Sequence, residues 1–255
     1  MKLNRTTLRT VQILKMASKH PDGVTLDDIC GQLEMPKTSA YDIVTTLVQT
    51  GMLQIERGAK QYYRIGLTAY RVGVNYTNNL DFVSAIDPLL RAFSRELGKT
   101  VFFGVRSEAE IVYLCKFEPD NPIITTATVG TKNPLYCTSL GKAILAFEEE
   151  EVQDELFGRI HFRRQTSRTI ADLPSLKEEL SRVKCQGYAL DARELEEHME
   201  CVGAPVFGQD GKVLGAISAS SLYKPEEDYQ ALGKRISQKA AELSRVLGFI
   251  GNPFH

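Results

Sequence analysis

Apolar residues recur at helical spacing three times before the first strand-like segment of the chain. The first such stretch runs from Thr7 to Lys19 and predicts an amphipathic helix. Its apolar face comprises Leu8, Val11, Leu14 and Ala17. Thr25 and Asp28 have capping-box spacing, which predicts a second, short helix. Pro36 suits the first turn of a third helix, and Gly51 is placed to end it.

Two strand-like segments follow, at 52–56 and 61–65, joined by a turn. Two short helices with a hairpin after them are typical of a winged helix-turn-helix, although an ordinary three-helix microdomain has the same pattern. The outward positions of the third helix favour DNA binding because they are rich in hydroxyl and amide groups. These positions are Lys37, Thr38, Ser39, Tyr41, Thr45 and Gln49. Arg57, Lys60 and Arg64 suit a wing against the DNA backbone, or equally a solvated hairpin.

The rest of the chain mixes helices and strands. A linker helix is predicted at 67–80, and a second domain at 81–255 begins with another helix. Strands are predicted at 100–106, 110–117, 123–129, 199–207 and 213–221, and helices at 141–147, 176–186 and 229–247. The Asp-Gly step within 208–211 indicates a hairpin, and Gly248 closes the last helix. Helices beside a mostly antiparallel sheet make the fold class α+β.

Composition describes an ordinary globular chain, with 43% apolar and 25% charged residues. Apolar runs fall far short of the roughly 20 residues of a membrane span, and the N-terminus has no signal-like apolar region. Five cysteines without a C-x-x-C pair are typical of reduced thiols. We therefore expect a cytoplasmic protein without membrane contact.

Charge is distributed unevenly. Residues 1–66 carry nine Lys/Arg against six Asp/Glu, whereas 67–255 carry 22 against 26. A surplus of three positive charges supports nucleic-acid binding only weakly unless those charges are clustered.

Two segments of the second domain suggest a ligand site. Residues 138–143 place small polar residues where a loop enters a helix, so free N–H groups there can receive an anion. Ser218 and Ser220 share one strand face, either as a solvent-facing surface or as a polar pocket wall.

A cysteine-hydrolase reading uses Cys201 with His198 and Asp191, and a zinc site could use the same three residues. The spacing favours neither. Along a strand, positions 198 and 201 point to opposite faces, and four closed zinc ligands are lacking. We expect no metal and no cofactor.

Motifs along nearly the whole chain resemble the IclR family of bacterial transcriptional regulators. In the first domain they are the spacing of Leu8, Leu14 and Ala17, and segments 25–30, 35–41, 47–51 and 63–67. In the second domain they are segments 134–146, 166–172, 187–191 and 201–207, with Glu194 and Ser220. The resemblance implies a winged helix-turn-helix at 1–66, the linker helix, and a GAF-like effector-binding domain, assembled as homodimers or homotetramers.

The resemblance also implies the residues that bind the effector, usually a small organic acid. Carried over by position, they are Ser139, Leu140, Asp191, Cys201, Ser218 and Ser220. Hydroxyls and backbone N–H groups would hold a carboxylate, and Asp191 would accept hydrogen bonds from ligand hydroxyls. This favours the pocket-wall interpretation of the two serines.

The chain departs from the family pattern at two positions. Asp42 replaces a basic residue on the recognition helix, where it would repel phosphates and could accept from a cytosine amine. His198 replaces a common glycine near the expected pocket. Operator sequence and effector identity therefore cannot be transferred.

The sequence predicts a ligand-responsive regulator, a repressor of a catabolic operon, which binds double-stranded operator DNA and is not an enzyme. The alternative is a GAF-type thiol enzyme that uses Cys201 and is fused to a DNA-binding module. A third possibility is a constitutive DNA-binding protein with a purely structural second domain. A low-pKa Cys201 would favour the enzyme.

Overall fold

The chain forms two compact units, Met1–Leu80 and Asp81–His255. The computed structural model describes residues 3–57, 60–78, 81–122 and 126–251, and only the backbone at 57, 74–78 and 81. None of the described helices combines the length and the apolar character needed to cross a membrane.

The first unit contains three helices, a hairpin and a fourth helix. Its elements are α1 (Arg5–Ser18), α2 (Leu26–Gln32), α3 (Lys37–Gln49), β1 (Leu53–Arg57), β2 (Gln61–Ile65) and α4 (Leu67–Asn78). The two strands pair antiparallel. The predicted capping box is confirmed, because Thr25 Oγ1 accepts from Asp28 N at 3.2 Å and Asp28 Oδ2 accepts from Thr25 N at 2.9 Å.

The apolar face predicted for α1 is wrong at two positions. Leu8 and Val11 are each 43% exposed, whereas Ile13 and Met16 are buried with Ala17. Apolar residues lie on more than one side of this helix. The core of the unit contacts the side that carries Ile13.

The second unit is an antiparallel sheet with helices on both faces. Its elements are α5 (Asp81–Leu97), β3 (Thr100–Ser107), β4 (Glu110–Phe117), β5 (Lys132–Pro134), α6 (Ser139–Phe147), α7 (Glu150–Arg159), α8 (Leu173–Gln186), β6 (Ala189–Ala192), β7 (Met199–Phe207), β8 (Val213–Leu222) and α9 (Tyr229–Val246). The strand order is β5-β4-β3-β8-β7-β6, with every described pairing antiparallel. This confirms the α+β class.

Two hydrophobic cores lie on opposite faces of this sheet. On one face, Phe102 and Ala216 pack with α6 and α8 through Leu140 and Leu176. On the other face, the strands pack with α5 and α9. Alternation along β8 explains the division, since successive residues point to opposite faces.

Several second-unit elements differ from the sequence prediction. Within the predicted strand 123–129, residues 123–125 lie outside the described residues and 126–129 form no strand. Lys132–Pro134 pairs with β4 instead. The helix α7 and the short strand β6 were not predicted. The helix α8 begins at Leu173, three residues earlier than predicted, because Asp172 Oδ1 caps it by accepting from Ser175 N at 2.8 Å.

Candidate ligand cavity and nucleic-acid interface

Four polar side chains form a row across the middle of the second unit's sheet. Thr100 of β3 lies opposite Ser220 of β8, Ser220 opposite Cys201 of β7, and Cys201 opposite Asp191 of β6. Directly opposite residues in antiparallel strands point to the same face. Thr100 lies two residues from Phe102 along β3, and Ser220 lies two residues from Ser218 along β8. Because Phe102 packs against α6, the row lies on the face of the sheet that carries α6.

A small, partly open cavity of about 40 Å³ lies over Asp191, Cys201 and Ser220 of this row. Its lining combines carboxylates, hydroxyls, a thiol, an amide and apolar side chains. The lining residues are Phe102, Tyr113, Thr126, Ala127, Asn133, Asp191, Leu195, Glu196, Met199, Cys201 and Ser220. The structure thus brings three residues of the predicted effector site, Asp191, Cys201 and Ser220, to one cavity wall.

The other three predicted effector residues lie beside the cavity lining. Ser218 is 2% exposed and is the β8 partner of Gly203. A Cβ on Gly203 would lie 2.9 Å from the carbonyl carbon and oxygen of Ser139, so the first turn of α6 lies directly against β7. Ser139 and Leu140 are also buried. Their backbone N–H groups lie in the first turn, where a helix offers no internal acceptor.

Asp191 is fixed by the backbone that follows it. Its Oδ1 accepts from Glu194 N at 2.7 Å and from Leu195 N at 3.4 Å. Burial, reinforced by the charge of Glu194, raises the pKa of Asp191 to about 7. The described hydrogen bonds of this carboxylate all end on Oδ1, which leaves Oδ2 for a ligand.

Lys142 forms a buried ionic cluster that sequence analysis did not identify. Its Nζ contacts Glu194, donates to Glu179 Oε1 at 2.9 Å and donates to the Leu190 carbonyl oxygen at 2.5 Å. Burial opposes the charge on Lys142, but Glu194 and Glu179 outweigh burial and raise its pKa. The cluster joins α6, α8 and the strand that carries Asp191.

The geometry around Cys201 disfavours a thiol enzyme. Cys201 Sγ donates to Ser220 Oγ at 3.2 Å, and burial raises the pKa of the thiol well above its usual value. A nucleophilic cysteine requires the opposite shift. His198 is exposed. Within the described residues, His, Cys, Asp and Glu side chains form no group of three that could hold a metal ion.

Sequence analysis missed the outer wall of the cavity. Asn133 Nδ2 donates to Tyr113 Oη at 3.3 Å, and Thr126 Oγ1 donates to Glu196 Oε1 at 2.5 Å. Tyr113 could have been found from the sequence, because its hydroxyl is the one polar group in the apolar stretch 111–115 of β4. Thr126 and Glu196 lie in irregular segments, and Asn133 lies in the three-residue strand β5. In such segments the alternation of side chains cannot be used to predict which residues face a cavity.

In the first unit, α3 presents one polar face and buries the other. Lys37, Thr38, Tyr41 and Asp42 are exposed, and Ser39 and Thr45 are half-buried. The opposite stripe comprises the buried residues Ala40, Ile43, Val44 and Leu47. Such a face suits contact with base edges and phosphates.

One open groove of about 390 Å³ is lined by Lys60 of the hairpin and by Lys37 and Tyr41 of α3, together with Asp27 and Asp28. Lys37 Nζ lies 2.9 Å from Asp27 Oδ1, and both side chains are exposed. Ser39 Oγ accepts from Arg9 Nη1 at 3.4 Å. The side chain of Arg57 lies outside the described residues, and Arg64 pairs with Glu56 across the hairpin at 2.9 Å.

Comparisons with known proteins find family matches in both parts of the chain. The family described as bacterial transcriptional regulator IclR, C-terminal, matches residues 74–245, and the IclR helix-turn-helix domain matches residues 6–56. The chain is 28% identical to the transcriptional regulator KdgR of Escherichia coli over 233 residues, which cover 91% of this chain and 88% of the relative. It is 27% identical to the transcriptional repressor AllR of Salmonella typhi, with 94% and 89% covered.

Solved structures agree with these matches. The crystal structure of IclR from Thermotoga maritima superposes with a TM-score of 0.76 at 27% identity, covering 96% of this chain and 99% of that one.

Proposed function

This chain belongs to the IclR family of bacterial transcriptional regulators, and from that premise we propose that it is a repressor of a catabolic operon that responds to a small organic acid. Family membership makes it a DNA-binding regulator rather than an enzyme. Repression is supported by relatives such as AllR, which is named as a repressor. The cavity over the polar row supports a ligand response rather than a purely structural second unit.

Operator recognition is assigned to the polar face of α3, with the hairpin against the DNA backbone. Thr38, Tyr41 and Asp42 are exposed on that face, opposite a fully apolar stripe, and this is the observation that carries the DNA-contact assignment. The remaining proposed contacts are Lys37, Ser39, Thr45, Arg57 and Lys60. Contacts to base edges determine which DNA sequence is preferred, whereas contacts between lysines and phosphates increase affinity for DNA of any sequence.

The effector is assigned to the cavity of the second unit. Ser220 and Cys201 line the wall next to Asp191, and the first turn of α6 lies against Gly203, two residues further along β7. Hydroxyls of Ser218 and Ser220 and the N–H groups of Ser139 and Leu140 are suited to hold a carboxylate. Asp191 is suited to accept from ligand hydroxyls.

A homodimer or homotetramer is proposed because the first unit exposes apolar side chains. Leu8 and Val11 of α1 and Leu67, Tyr70 and Val72 of α4 are all exposed in the single chain. Burial of such side chains against a second copy removes apolar surface from water. A two-fold assembly would read a palindromic operator.

Footprinting of the full chain on the DNA around its own gene, with and without a panel of organic acids, tests the proposal. We expect a protected palindrome whose protection changes with one of the acids. Replacing Lys60 with Ala should lower the affinity for all DNA sequences about equally, whereas replacing Thr38 or Asp42 should change which bases are preferred in the operator. The exposed Lys15 of α1 provides a matched control, Lys15→Ala. Binding without sequence preference would contradict the proposal.

A further inference from the structure

The wall of the cavity is acidic. Asp191 and Glu196 both line it, and its described lining contains no lysine, arginine or histidine. Asp191 is 3% exposed and Glu196 is half-buried. A negatively charged group placed between these side chains therefore meets the Glu196 carboxylate and the buried Asp191 carboxyl, with no cationic side chain in the described lining.

The buried cation on α6 does not supply the missing charge. An ammonium group has three N–H donors, and the described contacts of Lys142 Nζ are three: Glu194, Glu179 and the Leu190 carbonyl oxygen. All three N–H groups of Lys142 are therefore used in contacts within the protein and are not available to a ligand. Lys142 is 1% exposed and is not part of the cavity lining.

Two neutral side chains that can donate hydrogen bonds also line the cavity. Asn133 donates to Tyr113 Oη, so the phenol's own hydrogen is available to a ligand. Burial raises the pKa of Tyr113 well above its usual value despite that hydrogen bond, with further contributions from Cys201, Asp191 and Glu196. Tyr113 therefore remains a neutral donor. Ser220 accepts from Cys201 and can also donate.

Each of the two acidic side chains has one oxygen that accepts no described hydrogen bond. The described hydrogen bonds of Asp191 end on Oδ1, and the described hydrogen bond of Glu196 ends on Oε1. Each carboxylate thus offers its second oxygen to a donor. A ligand hydroxyl or amine can donate to the second oxygen of the Glu196 carboxylate, whereas a ligand carboxylate at neutral pH has no hydrogen to donate to it.

We infer that the cavity selects an effector with at most one negative charge, whose other end presents hydrogen-bond donors to Asp191 and Glu196. The class that fits is a hydroxylated monocarboxylic acid, and the corresponding dicarboxylic acids are excluded. Glu196 is a specificity-determining residue in this assignment, and Tyr113 is a ligand contact. The inference rests on the proposed role of the cavity as the effector site.

The test is calorimetric titration of the full chain with ligands matched in chain length that carry two, one or no carboxylates at their ends, with hydroxymethyl groups at the remaining ends. Three sets cover increasing length: glycerate with tartronate and glycerol, threonate with tartrate and threitol, and gluconate with glucarate and glucitol. Within a set that binds, we expect the diacid to bind at least about tenfold more weakly than the monoacid, because two like charges a few ångströms apart at an effective dielectric of about 20 repel this strongly.

A matched pair of variants separates Glu196 from general surface charge. Glu196→Gln keeps an oxygen that accepts from Thr126 and removes the charge, so it should raise affinity for the diacid about tenfold by the same electrostatic reasoning. Glu197→Gln removes the neighbouring, exposed charge and should leave the ratio between monoacid and diacid unchanged. An equal gain in both variants overturns the role of Glu196.

The remaining outcomes distinguish this inference from the proposed function. A diacid that binds the wild-type chain as tightly as its monoacid overturns the charge limit and leaves an organic-acid effector in place. Binding of the neutral polyols alone supports the charge limit and overturns the organic-acid effector. Absence of binding by every member of the three sets counts against both.

Discussion

At the scale of single residues, neighbours on one strand have opposite roles. Ser220 lines the cavity and accepts from Cys201, while Ser221 points to the other face of the sheet. Ser218, two positions before Ser220, shares the face of the cavity. Substitution of these three serines therefore distinguishes the two hydroxyls proposed to bind the ligand, those of Ser218 and Ser220, from the hydroxyl of Ser221 on the opposite face.

Ser220→Ala should lower affinity for the effector about tenfold or more, because a hydrogen bond to a charged group contributes roughly 1.5 to 3 kcal/mol. Ser218→Ala should also lower it, and the double variant should respond only at higher effector concentration. Ser221→Ala is the control and should bind as the wild type does. Titration calorimetry measures all four. A double variant that responds at the wild-type concentration would place the ligand elsewhere.

The charge state of Asp191 predicts a pH dependence of stability. The folded chain raises the pKa of this carboxyl to about 7, whereas an unfolded chain releases the proton near pH 4. The folded state therefore binds the extra proton between these values, and the stability from Asp191 is fully present below about pH 4 and is lost as pH rises through about 7.

Asp191→Asn keeps an oxygen at Oδ1 and removes the titration. The melting temperature of the variant, minus that of the wild type, should increase as pH rises from about 4 to 8, since only the wild type must deprotonate a buried group. The exposed Asp154 on α7 supplies the control, Asp154→Asn. A difference that stays constant across this range would refute the assignment.

The candidate site was predictable from sequence in part. Strand alternation placed Ser218 and Ser220 on one face, and the structure confirms that both are buried there. Tyr113 and Asn133 were missed because they meet through the pairing of β4 with β5, which depends on a register that no local pattern encodes. Leu8 and Val11 were misplaced because a helix with apolar residues on several sides does not reveal which side faces a core.

At the scale of elements, a buried ionic cluster fixes α6 relative to α8 and β6. Lys142 on α6 contacts Glu179 of α8, Glu194 just after β6, and the backbone of Leu190 within β6. Since Asp191 follows Leu190 directly, the cluster also positions the cavity's buried carboxylate. Lys142 is therefore a positioning residue rather than a ligand contact.

Lys142→Met should destabilise the chain by about 3 to 5 kcal/mol, because it leaves Glu194 and Glu179 without their buried partner. Combining it with Glu194→Gln should cost less than the sum of the two single variants, since the second change removes one unpaired charge. Urea unfolding measures these differences. The exposed Lys184 on α8 gives the control, Lys184→Met. Equal losses in the two lysine variants would show that the buried cluster contributes nothing specific.

Elements with strong local signals were predicted well, and weakly marked ones were not. The β7–β8 hairpin around its Asp-Gly step and the capping box of α2 are confirmed. The helix α7 was missed because its sequence is mostly polar and only Leu156 is buried. The strand β6 has four residues, too few for alternation to stand out, and its position depends on pairing with β7.

At the scale of the whole molecule, the two proposed binding functions lie in different units. The proposed DNA contacts lie within residues 37–60, and the described lining of the cavity lies between residues 102 and 220 of the second unit. The sequence predicted a second domain at 81–255, and a chain of this length is sufficient for an independent core.

The fragment 81–255 should fold alone and bind the effector with the affinity of the full chain, because all described lining residues of the cavity and both cores of the second unit are retained. It should not bind operator DNA, since α3 and the hairpin are absent. Thermal unfolding of the fragment beside the full chain, with calorimetric titration of each with effector and with operator DNA, measures the three properties. A cooperatively folded fragment that fails to bind an effector accepted by the full chain would show that the site requires the first unit. A fragment that does not unfold cooperatively would contradict the proposed boundary.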